Sequence, residues 1–301
     1  MLGIVIANWN GEKIIGSCLK SLSQQTYKNF KVYIIDNNSK DESISIIESY
    51  NEKLSIELTR LDYNSGFAVA NNIGIKQAID EGCTYILTLN NDVEVPSRCL
   101  AEAMKEVEQN KYDFYQLFMI NYFDRKKCDA AGLNFTEQLI PVQIGYRETV
   151  ENVLSKDKIE IEGVCAGAAI YASKALEKVK FENDEYFDGN FFAYYEDVDL
   201  SLRLRNKGYK AKLLRSAIVY HMHSATSNKM SGLKEYYLMR NLLIYTKRNQ
   251  TSNCLRKNNY YYYYIFIKKL IRGISNIDVI KSLIKGLIDG INERKLTKSI
   301  M

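Results

Sequence analysis

The feature that most constrains this chain is a regular alternation of strand and helix over its first 90 residues. Short apolar runs typical of buried strands occupy residues 3–7, 30–35, 56–61 and 85–89. Between them lie segments with apolar residues at helical spacing, at 14–25, 43–50 and 67–81. Parallel strands need crossover connections of this kind, and the crossing helices then cover both faces of the sheet. The alternation predicts an α/β domain with a mostly parallel, Rossmann-like sheet.

The second half of the chain has a less regular pattern. It becomes clear again with a helix predicted over 197–206, closed by Gly208, and a strand over 211–220. Beyond Thr226 the spacing predicts three helices, at 233–248, 261–274 and 279–292. We therefore expect one large α/β domain over residues 1–225 and a helical region over residues 226–301.

Charge is divided unevenly between these two parts. Residues 226–301 contain 15 Lys and Arg against 4 Asp and Glu, a net charge of +11, whereas residues 1–225 contain 26 against 32, a net charge of −6. An aromatic and aliphatic run at 260–267 is followed at once by Lys268 and Lys269. Tyrosines beside lysines are typical of a helix at a membrane surface. A helix hairpin that packs on the body or on a second subunit fits equally well, and nucleic-acid binding fits much less well.

The N-terminus and the cysteines bear on the compartment. The apolar run from Leu2 to Ala7 lacks a preceding basic region and soon meets Asn8, so we expect a first strand rather than a signal peptide. The six cysteines are scattered without a CxxC pair, which favours reduced thiols over disulfides or a zinc site. These features favour a cytoplasmic protein, peripheral on the inner face of the cell membrane if the tail binds lipid.

Each of the first four predicted strands is followed by amide or carboxylate side chains. They are Asn8 and Asn10, then Asp36 and Asn38, then Asp62 and Asn64, which Gly66 follows, then Asn90, Asn91 and Asp92. Any one of them has an ordinary alternative role, because Asn, Asp and Gly favour turns and helix N-caps. Ligands of open α/β sheets, however, bind beyond the carboxyl ends of the strands. Four such ends in succession predict a site for ribose hydroxyls, a base and a hard cation.

Five segments resemble, in the same order, the motifs of inverting glycosyltransferase family 2, especially its rhamnosyltransferase-like members. They are VIANWNG (5–11), IIDNNSKD (34–41), NSGFAVANNIGI (64–75), LNNDVEVP (89–96) and EDVDLSLRLRNKGY (196–209). The resemblance covers about residues 1–250. It implies a GT-A fold with residues 1–225 as the catalytic domain, a nucleotide-sugar donor, Mg²⁺ or Mn²⁺, and inversion at the anomeric carbon. It also implies dTDP-rhamnose as the best single donor, and a glycan or lipid-linked saccharide as the acceptor.

The resemblance implies roles for individual residues of the donor and metal sites. The implied donor-nucleotide residues are Asn8, Asn10, Asp36, Asn38, Asn64, Gly66, Asn71 and Asn91. Asp92 is the single acid of Asn90-Asn91-Asp92, which stands where the family has its DxD metal motif. One carboxylate is enough when the donor diphosphate supplies further oxygens, although Asp92 would also suit a turn. Of the two histidines, His221 matches the implied metal or diphosphate ligand better than His223.

The resemblance also implies that Glu196 and Asp197 are the catalytic acidic pair, with Asp197 as the general base. Inversion needs a base that takes the proton of the acceptor hydroxyl on the face opposite the leaving group. Acids at this position also complement the positive end of the helix that begins there, and we expect Asp199 to do only that. The small-residue stretch 163–169 matches a segment near the two sugars, although a closely packed turn explains it equally well.

Two other functions remain as alternatives. A sugar-1-phosphate nucleotidyltransferase shares the α/β layout and the metal, but it should carry a glycine-rich, arginine-bearing loop after the first strand, where this chain has ANWNGEK. A non-catalytic binding or scaffold protein could retain the nucleotide site. The three acids Asp36, Asp92 and Asp197 argue against the second alternative, and an assay would separate them.

Overall fold

The structure is a computed structural model that describes residues 1–109, 111–222, 232–249, 264, 266–268, 270–271 and 276–292. The strands are β1 (Leu2–Asn8), β2 (Phe30–Asp36), β3 (Ile56–Arg60), β4 (Tyr85–Leu89), β5 (Val93–Glu94), β6 (Phe114–Asn121), β7 (Cys128–Ala130), β8 (Leu133–Phe135), β9 (Pro141–Gln143), β10 (Ala168–Ala172) and β11 (Ala211–His221). The helices are α1 (Ile15–Ser23), α2 (Ser43–Glu48), α3 (Gly66–Asp80), α4 (Cys99–Val107), α5 (Val150–Leu154), α6 (Ser173–Val179), α7 (Glu196–Asn206), α8 (Leu233–Asn249) and α9 (Ile277–Asn292). A short 3₁₀ turn, Gly189–Phe191, precedes α7.

The main sheet has the strand order β3-β2-β1-β4-β10-β6-β11-β5, with β7 added to β6. The four strands β3, β2, β1 and β4 are parallel, as the alternation predicts. Beyond β4 the sheet becomes mixed, because β10 runs antiparallel to both β4 and β6. The α/β architecture is confirmed: β1 to β4 are parallel, and so is the pair β6 and β11, whereas β10, β5 and β7 pair with their neighbours antiparallel.

Segments with strong periodicity were located accurately by the sequence. Strand 85–89 is observed with the predicted bounds, and the other predicted strands and helices of the first 90 residues begin and end within two residues of prediction. The predicted helix 197–206 begins one residue earlier, at Glu196, and the last predicted helix begins at Ile277. Most of the helix predicted over 261–274 lies outside the described residues.

Close packing of α3 against β1 fixes the position of the helix whose N-terminus reaches the strand ends. A Cβ on Gly74 would lie 2.5 Å from Cγ1 of Val5, so glycine lets the helix lie directly on the strand. The core continues on both faces of the sheet with fully buried Leu, Ile, Val, Phe and Tyr side chains. A second, smaller cluster forms around Phe191, Leu202 and Tyr245, where α7 meets α8.

The helices after residue 226 contact the α/β body as well as each other. Asn241 and Tyr245 of α8 are completely buried. Helix α9 packs on α8 through Leu283, Gly286 and Gly290, and a Cβ on Gly286 would lie 2.5 Å from the Tyr236 carbonyl oxygen. The domain boundary at residue 225 stays a prediction, and contacts of α8 cross it. Within the described part of the chain, no helix has both the length and the apolar character needed to span a bilayer.

Candidate active site

A cavity of about 430 Å³ opens beyond the carboxyl ends of β1, β2 and β4. One part of its wall comes from the strand ends and the start of α3, and the other from the segment before α7 and from α8. The lining residues are Ala7, Asn8, Trp9, Asn37, Asn64, Gly66, Phe67, Asn91, Phe192, Ala193, Tyr194, Leu233, Lys234 and Tyr237. Its place at the strand ends agrees with the expected position of a ligand in this class of sheet.

Three of the predicted residues form one hydrogen-bonded network along these strand ends. Nδ2 of Asn8 donates to Oδ1 of Asp36 at 2.9 Å, and Nδ2 of Asn91 donates to Oδ1 of Asn8 at 2.8 Å. Asp36 also accepts from the backbone N–H and the hydroxyl of Ser39. A Cβ on Gly11 would lie 2.3 Å from Oδ1 of Asn8, so only glycine fits against the network. The network orders the amides of β1 and β4 and leaves the Asp36 carboxylate buried behind them.

The remaining predicted donor residues lie at different distances from this cavity. Asn64 and Gly66 line it. Asn10 and Asn38 lie in the neighbouring loops, where Oδ1 of Asn10 accepts from the Lys40 N–H and Nδ2 of Asn38 donates to the Asp62 carbonyl. Asn71 is buried inside α3, and its Nδ2 donates to the Phe67 carbonyl one turn earlier. The structure thus brings Asn8, Asn64, Gly66 and Asn91 to the cavity wall, with the other four behind or beside it.

A second cluster joins Asp92 and His221 at the ends of β4 and β11. Nε2 of His221 lies 3.1 Å from Oδ1 of Asp92, and Nδ1 lies 2.5 Å from Oδ2 of Asp129. Burial alone would lower the pKa of His221, but the hydrogen bonds and charges of Asp129 and Asp92 outweigh burial and raise it to about 9. His223 lies outside the described residues.

The Asp92–His221 cluster has the donor set of a small metal site. One carboxylate and one imidazole face each other, and the carboxylate of Asp129 fixes the far side of the imidazole ring, as partners of metal-binding histidines commonly do. The described residues contain no cluster of three or more His, Cys, Asp or Glu that could hold an ion by itself. Mg²⁺ and Mn²⁺ sites of nucleotide enzymes use few protein ligands, because phosphates and water supply the rest. The residues therefore fit such a cation in the presence of a diphosphate, with the cation displacing the Nε2 proton of His221.

The acidic pair at the start of α7 consists of two differently placed carboxyls. Glu196 is buried, and its Oε2 has no hydrogen-bond partner. Burial, followed by the charge of Asp197, raises the pKa of Glu196 well above its usual range. Asp197 is partly exposed and accepts from the backbone N–H groups of Val198 at 2.8 Å and Ala166 at 3.2 Å. Burial raises the pKa of Asp197 too, and these N–H groups oppose that rise, so Asp197 suits a base better than Glu196 does.

The turn at residues 165–167 connects the two clusters. The Ala166 N–H donates to Asp197, the Gly167 carbonyl accepts from the Asn90 N–H, and Nδ2 of Asn90 lies 3.3 Å from Nε2 of His221. A Cβ on Gly167 would approach Nδ2 of Asn90 to 3.1 Å. The small residues of the stretch 163–169 therefore let the Asp197 carboxylate and the Asp92–His221 cluster lie on either side of one tight turn.

Asp199 differs from the expectation that it only complements the helix terminus. It is completely buried and forms ion pairs with Nε of Arg203 at 2.9 Å and Nη1 of Arg248 at 3.2 Å. Arg248 lies in α8, so this carboxylate joins α7 to the C-terminal helix. Asp199 is a structural ion-pair centre beneath the site.

Several residues at the site were not singled out from the sequence. They are Asp129 beside His221, and Lys234 and Tyr237 on the cavity wall. Trp9 and Asn37 also line the cavity and belong to the predicted pattern after the first two strands. The aromatic run before α7 suits a sugar-contacting wall or an aromatic core equally well by sequence, and its Phe192 and Tyr194 line the cavity. Asp129 and Tyr237 come from a region with irregular pattern and from α8, and nothing local in the sequence distinguishes them.

Comparison with known proteins agrees with this architecture. A model of the family described as Glycosyl transferase family 2 matches residues 3–180. The dTDP-rhamnosyl transferase RfbF of Shigella flexneri is 23% identical over 301 residues, covering 95% of this chain and 94% of that protein. The poly(ribitol-phosphate) beta-N-acetylglucosaminyltransferase TarS of Staphylococcus aureus is 28% identical over 113 residues, which cover 36% of this chain but only 19% of the length of TarS.

Solved structures show the same fold at low sequence identity. TarS 1–349 in complex with UDP-GlcNAc superposes with a TM-score of 0.59 at 20% identity, covering 96% of this chain and 80% of that one. The mannosyltransferase PcManGT from Pyrobaculum calidifontis, in complex with GDP-Man and Mn²⁺, gives a TM-score of 0.60 at 12% identity over 98% and 88% of the two chains. These similarities establish the GT-A fold.

Proposed function

The chain belongs to glycosyl transferase family 2, and we propose from this that it transfers a sugar from a nucleoside diphosphate donor to a hydroxyl group with inversion. The observation that carries the proposal is the pairing of the Asp197 carboxylate and the Asp92–His221 cluster across the turn at 165–167. An inverting transfer needs a base for the acceptor and a charged group for the leaving diphosphate, and the contacts of this turn with Asp197 and, through Asn90, with His221 support one candidate for each.

In the proposed reaction, each part of the site has one task. The amides of Asn8, Asn64 and Asn91 bind and orient the donor nucleotide in the cavity. Asp197 accepts the proton of the acceptor hydroxyl. The hydroxyl oxygen then bonds to the anomeric carbon while the bond from that carbon to the diphosphate oxygen breaks. Asp92 and His221 would hold a divalent cation, which when bound neutralises the charge of the departing diphosphate. Asp129 keeps the His221 ring in the orientation that this requires.

The finer identity of the donor and acceptor belongs to the same proposal. We infer dTDP-rhamnose as the donor, supported by the motifs of the sequence and by the similarity to RfbF along nearly the whole chain. We infer a hydroxyl of a cell-surface glycan precursor as the acceptor, either a free glycan or a lipid-linked saccharide. The corresponding location is the cytoplasm, at the inner face of the cell membrane.

One binding experiment tests the donor and the metal together. Trp9 is the only tryptophan of the chain and lines the cavity, so its fluorescence reports occupation of the site. Purified protein is titrated with dTDP-rhamnose, UDP-GlcNAc and GDP-mannose, each with Mn²⁺, with Mg²⁺ or with EDTA. We expect dTDP-rhamnose to bind most tightly and to need the cation. The variant Asp92→Asn should lose the part of donor binding that requires the cation. The control variant Asp124→Asn, at an exposed carboxylate, should bind the donor like the parent.

The outcomes of this titration, together with assays for released nucleoside diphosphate and pyrophosphate, separate the alternatives. Tightest binding of another nucleotide sugar replaces the inferred donor but keeps the family chemistry. Binding of a nucleotide sugar with no release of nucleoside diphosphate, whichever acceptor is added, identifies a non-catalytic binding protein. Release of pyrophosphate from a sugar 1-phosphate and a nucleoside triphosphate identifies a nucleotidyltransferase. No nucleotide binding with any cation, in folded protein, contradicts the proposal itself.

The exposed face of α9 supports the membrane location. Ile277, Ile284, Ile288 and Ile291 lie on one side of the helix with exposed fractions of 42–67%, opposite the face that packs on α8. Lys281 and Lys285 are exposed beside this apolar stripe. An apolar stripe bordered by lysines, in a region of net charge +11, matches an anionic lipid surface better than a second copy of the same basic region.

Vesicle sedimentation tests the membrane location. We expect the full-length chain to sediment with vesicles that contain anionic lipid, and added salt to weaken binding because it screens the charged part. The double variant Ile284→Ser/Ile288→Ser should stay in the supernatant, while a control with Ser282→Ala should sediment like the parent. The stripe would be a subunit contact instead if the parent chain does not sediment with these vesicles and elutes as a dimer, while the double variant elutes as a monomer.

A further inference from the structure

The segment between the 3₁₀ turn and α7 has an unusual backbone. Phe192, Tyr194 and Tyr195 all have positive φ, at 64°, 69° and 74°. Phe192 also has a ψ of −61°, and the Ala193 N–H donates to the Phe191 carbonyl at 2.7 Å, which together form a strained classic γ-turn. Residues other than glycine rarely adopt these backbone conformations, so contacts with the surrounding structure must stabilise them.

The position of this strained segment gives it a bearing on the site. Phe192, Ala193 and Tyr194 line the cavity, and Glu196 and Asp197 follow directly at the start of α7. A different path of residues 192–195 would therefore change one wall of the cavity and the direction from which α7 begins. The geometry of Asp197 depends on a backbone that is not stable by itself.

The side chain of Asn241 in α8 holds this backbone. Asn241 is completely buried, and its Nδ2 lies 2.8 Å from each of three carbonyl oxygens, those of Phe191, Ala193 and Tyr194. Its Oδ1 accepts from Nη1 of Arg240 at 2.9 Å, which orients the amide. A side-chain amide has two N–H donors, and here both are directed at the strained segment.

Two arginines of α8 hold the residues just before this segment. Nη1 of Arg240 donates to the Asn190 carbonyl at 2.8 Å. The guanidinium of Arg248 pairs with the buried carboxylate of Asp188, whose Oδ1 accepts from the Asn190 N–H at 3.0 Å. Residues 188–194 are thus tied to α8 at several points, with Asn241 at the centre of the strained part.

We propose that Asn241 is a positioning residue, which fixes the backbone of residues 191–194 and thereby the placement of Asp197. The inference rests on the proposed function for the role of Asp197, but the hold of Asn241 on the segment does not depend on it. Asparagine in a helix interior is otherwise unfavourable, because its side chain competes for backbone groups. In α8 the side chain instead satisfies carbonyls of another segment, 47 to 50 residues earlier in the chain.

The test compares Asn241→Leu with a matched control, Asn72→Leu. Asn72 is also buried and also holds backbone, with Nδ2 donating to the Phe187 carbonyl and Oδ1 accepting from the Tyr186 and Phe187 N–H groups. It lies in α3 and does not touch residues 191–194 in these hydrogen bonds. Both variants remove the same amide from a buried place, so both should lower Tm.

Only Asn241→Leu should act on the segment and on turnover. We expect hydrogen exchange of the amides in residues 190–197 to become faster in this variant and to remain slow in Asn72→Leu. Turnover should fall by up to about 10²-fold, the effect of misplacing a catalytic group by an ångström. The affinity for the free nucleoside diphosphate with Mn²⁺, read from Trp9 fluorescence, should change much less. Asn241→Ser keeps one short donor and should lie between parent and Leu in both measurements.

Each result decides a separate point. Unchanged exchange of residues 190–197 in Asn241→Leu overturns the proposal, as does an equal loss of turnover in Asn72→Leu at an equal loss of Tm. If Asn241→Leu does not fold, the same comparison is made with Asn241→Ser. If the parent chain turns over no nucleotide sugar, the proposed function fails, and the exchange measurement alone still shows whether Asn241 fixes the segment.

Discussion

The two walls of the cavity are built in different ways. The wall at the strand ends carries Asn8 at the end of β1, Asn91 in the turn after β4 and Asn64 just before α3, and the parallel register places Asn8 beside Asp36. The opposite wall carries Phe192 and Tyr194 on a strained segment that is held by a distant helix. The first wall is therefore preorganised by the sheet itself, whereas the second depends on contacts made late in the chain.

This difference suggests a division of labour between the walls. A rigid wall of amides suits recognition of the nucleotide, which is the constant part of a donor. A wall on irregular backbone, followed at once by Glu196 and Asp197, suits the part of the site where sugar and acceptor meet. We expect substitutions in the first wall to act mainly on donor binding and substitutions behind the second to act mainly on turnover.

The largest effect is expected at Asp197. Asp197→Asn removes the proposed base and keeps the size of the side chain. One side-chain oxygen remains to accept from the Val198 or the Ala166 N–H group. Turnover should fall by about 10²–10⁴-fold, the usual contribution of a general base. Binding of the nucleoside diphosphate with Mn²⁺ should stay close to that of the parent. Loss of binding with unchanged turnover at saturating donor would show that the division between the walls is wrong.

Asp199 tells a structural effect from a chemical one. Asp199→Asn removes the carboxylate partner of the buried Arg203 and one of the two carboxylate partners of the half-buried Arg248, so it should lower Tm strongly. Turnover per folded molecule should fall much less than in Asp197→Asn. The pair of variants is checked by measuring Tm and kcat on the same samples.

The next effect is expected at Asp129, which supports His221 from behind. Asp129→Asn removes the negative partner of Nδ1, and loss of such a partner typically weakens metal affinity by about 10–100-fold. Calorimetric titration of Mn²⁺ in the presence of nucleoside diphosphate measures the change. Asp157→Asn, at an exposed carboxylate, is the control. Equal Mn²⁺ affinity in both variants would show that Asp129 does not support the proposed metal site.

The same contrast between the walls explains what the sequence could predict. The strands and helices before residue 90 follow from periodicity, and Asn8, Asn64, Gly66 and Asn91 follow from their place after those strands. Asn241, Tyr237 and Asp129 reach the site through packing of segments far apart in sequence, and no local pattern encodes such contacts. Asp199 was predicted only as a helix-terminus acid, because the two arginines that surround it lie one turn and 49 residues further along the chain.

A smaller effect is expected where the two walls touch, at Gly66. Its φ is +84°, and a Cβ there would lie 2.5 Å from Cδ2 and 2.6 Å from the carbonyl oxygen of Phe192. Gly66→Ala should therefore cost stability through both backbone strain and the clash, about 1–3 kcal/mol for overpacking. It should also weaken nucleotide binding, because Phe192 must move.

Gly82→Ala isolates the contact between the walls from the backbone effect. Gly82 has nearly the same φ, +82°, but no atom lies within 4 Å of the added Cβ. Denaturant unfolding of both variants gives the two stability changes, and their difference measures the contact of Gly66 with Phe192. Equal losses of unfolding free energy in the two variants would show that residues 192–194 move away from the added Cβ at no cost.

The smallest effect, and the only gain, is expected at Glu196. Its folded-state pKa is raised by burial, so between the pKa of an unfolded Glu and this raised value the folded chain holds a proton that the unfolded chain has released. Stability is therefore lost as pH rises through this window. Glu196→Gln removes the titrating group and should unfold at higher temperature than the parent at pH 7. In a domain of this size each 1 kcal/mol of added stability raises Tm by about 2–4 °C.

The pH dependence of this gain distinguishes charge from packing. The Tm difference between Glu196→Gln and the parent should shrink as pH falls and vanish below about pH 4, where an unfolded Glu is also protonated. The exposed Glu52→Gln should show no such gain at any pH. Because Glu196 belongs to the proposed acidic pair, the stabilised variant should also have a lower turnover. A higher Tm with a lower turnover would show that the buried carboxyl destabilises the fold but serves the reaction. A Tm difference that does not change between pH 4 and pH 7 would instead assign the effect to packing.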